Sequence, residues 1–322
     1  MIDQTIRLGL MIARKVYAHS PWGSFPDRPQ CIREPNEVAE IIRSRLLDDK
    51  PCMIARFGAN ELSAMVNYLG VRIRKRSVSE YIFENSPSWW WDEKVIDLMH
   101  TGAGFFPPQE DKLEEFSQLM IADTPQVDIL GSWQPNERYF QNELKNAIKV
   151  QLLVLDPYWA EKPWTSALEG KKVLVVHPFT ETIKKQYKKR EYLFENNLLP
   201  EFELKTVQAV QSVAGTKTAF ADWFEALNFM KEEIDKIDYD ICLIGAGAYG
   251  FPLAAHVKRQ GKKAFHVGGS LQLLFGIRGK RWESPDYHHT YDYPGLVNQH
   301  WVTASQKEKP KNSDLVEGGC YW

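Results

Sequence analysis

No run of apolar residues in this 322-residue sequence approaches 18, so nothing in it reads as a transmembrane helix. Cysteine is scarce. Cys31, Cys52, Cys242 and Cys320 lie far apart with no Cys-x-x-Cys pair. That spacing offers no zinc or redox motif and predicts four reduced thiols in a cytoplasmic protein. Excess charge is missing too: 40 Lys and Arg against 42 Asp and Glu leave a net charge of −2. A bulk electrostatic nucleic-acid binder carries a strong basic excess, so no nucleic-acid partner is expected. Residues 1–15, broken by Asp3, Arg7 and Arg14, lack the basic-then-apolar order of a signal peptide. There is no internal repeat and no low-complexity tract.

What is present is the composition of an ordinary globule, with 43% hydrophobic and 25% charged residues. The length fits two domains or one large α/β domain. Tryptophan is abundant at 11 residues, and indole rings stack on sugars and bases as well as filling cores. Residues 1–33 read as a short helix and a Pro-rich connector (Pro21, Pro26, Pro29). Residues 34–305 read as a Rossmann-like α/β body, with two lobes over about 34–165 and 166–305 as the alternative division. Residues 306–322 read as a tail docked on that body, with the polar stretch 306–314 a mobile loop.

Val38, Ile41, Ile42, Leu46 and Leu47 recur at helical spacing. Short apolar runs then predict strands at 52–57, 127–130, 151–155, 173–176, 202–210, 241–244 and 264–267. Helical patterns lie between most of them: Ile183, Tyr187 and Phe194 on one face, and Trp223, Phe224, Leu227, Met230 and Ile234 on another. Alternation of this kind predicts parallel βαβ units, hence a mostly parallel sheet with helices on both faces. Such sheets bind ligands beyond the carboxyl ends of their strands, which directs attention to the residues just after each strand.

Four strand ends carry suitable chemistry. In Arg56-Phe-Gly58-Ala59-Asn60-Glu61, Gly58 allows close backbone approach, the helix start favours an anion, and Glu61 with Asn60 could meet a divalent cation. The structural alternative is a plain helix start with Glu61 complementing the dipole. Val176-His177-Pro178 stops a strand abruptly and places His177 at the ligand edge as a proton shuttle, or as a structural residue. Gly245-Ala-Gly247-Ala-Tyr249-Gly250 is a GxGxxG after a strand and before a helix. A dinucleotide site needs an acidic residue at the end of the next strand; here that strand ends His266-Val-Gly-Gly269, so no NAD is expected. The stretch from Gly268 to Trp282 mixes glycines with Gln272, Arg278, Arg281 and Trp282, candidates for base, ribose, phosphate and stacking contacts. It also fits a helix with a Gly-rich end. Trp133 and Asp156 end two further strands, as a sugar-stacking ring and a base or as packing groups. The basic run 184–190 reads as a solvated face or as a surface for an anionic acceptor or membrane.

Taken together, Arg56-Phe-Gly-Ala-Asn-Glu61 and the blocks His-Pro-Phe, Gly-Ala-Gly-Ala-Tyr-Gly and Gly-Gly-Ser-Leu-Gln-Leu-Leu-Phe-Gly resemble the GT-D-fold glycosyltransferases of bacterial surface-glycan loci. The resemblance implies a transferase using a nucleotide-activated sugar, often UDP-linked, and a glycan or lipid-linked acceptor. Peripheral association with the inner face of the membrane is the expected location. In the family an Asp-x-Glu pair meets the donor and a divalent cation, manganese or magnesium. Glu61 matches the Glu, whereas the Asp position holds Ala59, which puts the cation in doubt. Glu61, Arg56, Arg278, His177 and Asp156 are then the expected catalytic and charge-neutralising groups. A non-catalytic nucleotide-sugar-binding protein and an NAD(P)-dependent oxidoreductase are the rival readings.

Overall fold

The computed structural model describes residues 3–20, 27–310, 313–315 and 318–322. Seven strands, β1 (Cys52–Arg56), β2 (Ile129–Ser132), β3 (Ile148–Gln151), β4 (Lys172–His177), β5 (Glu203–Gln208), β6 (Ile241–Ile244) and β7 (Lys263–His266), form one sheet. Their order is β3-β2-β1-β7-β6-β4-β5, and every pairing is parallel. The helices that matter below are α1 (Gln4–Ala18), α2 (Pro35–Leu47), α3 (Ala59–Val71), α4 (Val78–Ile82), α5 (Glu93–Thr101), α6 (Glu110–Asp123), α7 (Thr180–Tyr187), α8 (Trp223–Asp235) and α9 (Gly250–Arg259). The expected Rossmann-like α/β architecture is thus the one observed. β7 lies between β1 and β6, so a boundary near residue 165 falls inside a single sheet.

Successive strand side chains point to opposite faces, and both faces are buried, which is why the strands read as unbroken apolar runs. Met53, Ala55, Leu174, Val176, Cys242 and Ile244 enter the core under α3, α6, α8 and α9. Their neighbours Ile54, Val173, Val175, Ile241 and Leu243 enter the opposite core, with Val38, Ile42 and Leu46 of α2. Local chemistry sets the helix starts. The Glu34 carboxylate accepts from the amides of Asn36 and Glu37 with Pro35 in the first turn of α2, and Asp222 caps α8 through the Glu225 amide.

Three expectations shift. Of the predicted strand 151–155 only Gln151 is extended; 152–155 wind into a 3-10 turn that buries Val154 and Leu155. A short apolar run cannot separate strand from buried helix by period alone. The strand at 127–130 lies two residues further on, where Ile129–Ser132 pairs with β3. Phe194 is beyond the end of α7 and stacks on Tyr158 instead of sharing the face of Ile183. In the tail, Glu308 accepts from the Glu181 and Thr182 amides, so it serves as the cap that α7 lacks locally. Cys320 is buried, and Tyr321 and Trp322 pack on the core that holds α2. Pro21, Pro26 and residues 311–312 and 316–317 lie outside the described residues.

Candidate active site

The four motif-bearing strand ends belong to four consecutive strands, β1-β7-β6-β4. The chain leaves β6 toward β7 on one side, through α9, and leaves β4 toward β5 on the other, through α7. Connections diverge there and leave a crevice at the carboxyl edge. A cavity of about 790 Å3 opens at that place, lined by residues from all four ends. Glu61, Gly247 and Gly269 share its wall, together with Arg56, Gly58, Asn60, Trp133, His177, Gly245, Tyr249 and Gln272.

At the β1 end, the Arg56 guanidinium lies 5.6 Å from the ring centre of Trp133. Trp133 is 38% exposed and donates from Nε1 to the Phe57 carbonyl at 3.1 Å. The turn that presents it is held by buried Glu137, which accepts from the Ser132 hydroxyl and from the Trp133 and Gln134 amides. Glu61 folds back over Gly58: a Cβ on Gly58 would lie 1.8 Å from its Oε2. Burial raises the Glu61 carboxyl above the usual range, opposed by its own amide and by Arg56. Gly58 offers no side-chain cap to α3, and with the Glu61 amide meeting its own carboxylate the Ala59 and Asn60 amides of the first turn are the ones left to an anion.

At the β4 end, Nδ1 of His177 accepts the Phe179 amide at 3.0 Å. An amide only donates, so this fixes the hydrogen on Nε2. Burial pushes His177 down to about 3, so the ring is neutral near pH 7. It is therefore a hydrogen-bond donor, and the base role expected of it is not available in this tautomer. His266, missed at the end of β7, also lines the cavity, with Nδ1 buried and unpartnered. Burial, with Arg56 nearby, lowers it to about 3 as well.

The loop after β6 is tight for identifiable reasons. A Cβ on Gly245 would meet His177 Cδ2 at 2.6 Å and the Gly268 carbonyl at 2.9 Å, whereas Gly247 has φ +52° and open space beside it. Tyr249 stacks on Trp223 at 4.8 Å, and its hydroxyl bonds Ser212, which donates to the Gly104 carbonyl. It braces the wall. Gln272 does the same work, its Nε2 donating to the carbonyls of Arg278 and Tyr321 at 2.9 and 3.0 Å. Gly269 makes room for Tyr321, whose ring a Cβ there would approach to 2.3 Å.

Three expected site residues fall outside the lining. Arg278 is turned into a two-pronged pair with Glu283 at 2.8 and 3.0 Å. Trp282 is buried against Tyr321 and Tyr287, so it supports the wall from behind. Asp156 is buried and accepts Ser270 Oγ at 2.7 Å and Tyr293 Oη at 2.6 Å, with burial raising it to about 6. With both oxygens engaged it holds the Gly-Gly-Ser turn and reaches no ligand. The expected Arg281 is in the lining, and the tertiary structure adds Arg28 and Tyr321. Arg281 bonds the Tyr321 hydroxyl at 3.2 Å and lies 4.8 Å from its ring centre. Nothing local marks Arg28 or Tyr321.

The donors for a divalent cation are few. Among the described residues no group of three His, Cys, Asp or Glu converges. Ala59 has no donor atom, and Asn60 gives its amide nitrogen to the Leu98 carbonyl at 3.3 Å. Glu61 is the single carboxylate among the described lining residues. One carboxylate can touch a cation carried by a diphosphate but does not make a protein-held site.

The profile of the GT-D fold-like domain matches residues 33–274. No curated relative matches by sequence. Among solved structures, the chain is similar to a new glycosyltransferase (domain of unknown function 1792) from Streptococcus sanguinis. That match has 11% identity and a TM-score of 0.37, covering 87% of this chain and 96% of that one. A second structure, described as the domain of unknown function 1792 with a distinct glycosyltransferase fold, matches at 10% identity and TM-score 0.37, over 92% and 96%. At these values the profile match, and not the structural likeness, carries the assignment.

Proposed function

The chain belongs to the GT-D fold-like domain family, and from that premise we propose that it is a glycosyltransferase. It would move a sugar from a nucleotide diphosphate to a hydroxyl of a cell-surface glycan or lipid-linked acceptor, in the cytoplasm at the inner face of the membrane. The observation that supports this best is the charge of the cavity. Arg28, Arg56 and Arg281 face one carboxylate there, in a chain whose net charge is −2. The buried histidines add no charge near neutrality, and the uncapped α3 start adds amides. An anionic group with several phosphate oxygens fits that lining.

In the reaction, the bond from the sugar C1 to the diphosphate oxygen breaks, and a bond from C1 to the acceptor oxygen forms. The diphosphate leaves with the bonding pair, so its growing charge needs fixed positive groups; Arg56 is the nearest to Glu61 and Gly268. The acceptor hydroxyl loses a proton, and Glu61, the single carboxylate among the described lining residues, would take it. His177 donates from Nε2 to a phosphate or sugar oxygen. Trp133 and Tyr321 offer ring faces to the base or sugar. Any cation would arrive with the diphosphate and be held by its phosphate oxygens, which leaves Glu61 to the acceptor; no nicotinamide cofactor is proposed.

The test is a panel of UDP- and GDP-sugars, with and without manganese, read as donor hydrolysis and transfer. Glu61→Gln should lower kcat by about 10²–10⁴-fold with nucleotide affinity little changed. Wild-type kcat should rise with pH through an apparent value above the ordinary 4.5 as Glu61 loses its proton. No binding and no hydrolysis across the panel would overturn the reading. A second reading, a nucleotide-sugar-binding protein without turnover, is favoured by Ala59 and the sparse cation donors. Binding without transfer to any acceptor would select it.

A further inference from the structure

Helix α1 stands apart from the sheet. Its inner face is Arg7, Leu10, Arg14 and Tyr17, at helical spacing. Arg7 lies over Trp90, Arg14 over Tyr81 and bonded to the Ser86 carbonyl, and Tyr17 against Phe83. Leu10 packs on a small separate cluster of Tyr81, Trp89 and Trp90. The opposite face is Leu8, Met11, Ile12 and Val16, a stripe at i, i+3, i+4 and i+8. These side chains are exposed, Leu8 by 58% and Val16 by 65%, and α1 buries no residue. Val78 and Phe83, on and just after α4, are exposed beside it, at 53% and 47%.

The same cluster carries a basic loop. α3 ends at Val71, and Arg72, Arg74, Lys75 and Arg76 follow before α4, all exposed, while Ile73 anchors the loop to the cluster of Tyr81, Trp89 and Trp90. Of the acidic residues on and just after α4, Glu80 is exposed and Glu84 is tied to Arg14 at 3.6 Å. An exposed apolar stripe and four unburied cations, on two elements that share the cluster of Tyr81, Trp89 and Trp90, in a chain of net charge −2, are complementary to an anionic lipid surface. The other basic surface lacks this pairing: Lys184 is matched by Glu181, Arg190 by Glu201, and Ile183 is buried.

We propose that α1 and the 72–76 loop form a docking surface for an anionic membrane, with the apolar stripe entering the headgroup boundary and the loop resting on anionic headgroups. The cavity begins at Ala59 and the loop at Arg72, the two ends of α3. They are separated by the length of that helix, about 20 Å. Docking there leaves the cavity uncovered.

The experiment is co-sedimentation of the full chain with vesicles of phosphatidylcholine alone and of an equal mixture with phosphatidylglycerol. Expected is binding to the mixture and not to phosphatidylcholine alone, weakening as salt is raised. Arg74→Ser, Lys75→Ser and Arg76→Ser combined should lower the partition coefficient about a hundredfold, at about fivefold per basic residue. Leu8→Ser with Ile12→Ser should remove the salt-resistant part of the binding. All five side chains are exposed, so circular dichroism and melting should match the wild type. No binding to the mixture at low salt, or equal binding by wild type and both variants, would overturn the proposal. So would a wild-type dimer, seen by sedimentation and lost in the Leu8 and Ile12 variant, with no vesicle binding. The donor-hydrolysis assay contains no vesicles, so the transferase reading stands or falls separately.

Discussion

The hydrogen on His177 is decided by one backbone amide, and its charge by the absence of water. Burial has moved it from the ordinary 6.5 to about 3. The unfolded chain therefore binds a proton at this residue between those values and the folded chain does not. The resulting penalty is nil above pH 6.5 and grows as pH falls toward 3. On going from pH 7 to pH 5, wild type should lose about 2 kcal/mol more unfolding free energy than His177→Asn, measured in urea. Equal losses would mean that the ring is hydrated and charged in the folded state. The sequence marked this histidine through the His-Pro strand end, but it could not show the Phe179 amide aimed at Nδ1. Asp156 failed as a base for a similar reason. Its partners Ser270 and Tyr293 lie more than a hundred residues away, and they alone decide that its oxygens are occupied.

Between strand and helix, the Gly245–Gly250 loop separates two uses of glycine. Gly245 is required by what surrounds it, a His177 ring and a Gly268 carbonyl within 3 Å of any Cβ. Gly247 is required by its own backbone, at φ +52° with nothing near. Gly245→Ala should cost about 1–3 kcal/mol through overpacking and should also displace His177. Gly247→Ala should cost about 1 kcal/mol through the left-handed backbone alone. Denaturant unfolding of the two variants checks the order; a neutral Gly245→Ala would show that the wall yields. The GxGxxG spacing was legible because the strand before it and the helix after it both have a clear period. The 152–155 turn was not, since four apolar residues satisfy a strand and a buried 3-10 turn equally well.

At the scale of the whole molecule, the cavity is a product of topology: four strands from distant parts of the chain bring their carboxyl ends together. A ligand bound there should stabilise the folded state by mass action. UDP at a hundred times its Kd should add about 2.7 kcal/mol and raise Tm by several degrees, with NAD giving no shift. Arg56→Ala should abolish most of the UDP shift, and a shift with NAD alone would point back to the oxidoreductase reading. The sequence by itself determined the α/β alternation, the strand ends worth attention and the lack of an acid after β7. Period, apolar runs and glycine placement are local, and local interactions write them. Only the tertiary structure decided that Arg28 and Tyr321 join the site, and that Arg281 stays in it while Arg278, Trp282 and Asp156 leave it. Side-chain direction and partners depend on contacts between residues far apart in the chain, and no local pattern encodes those.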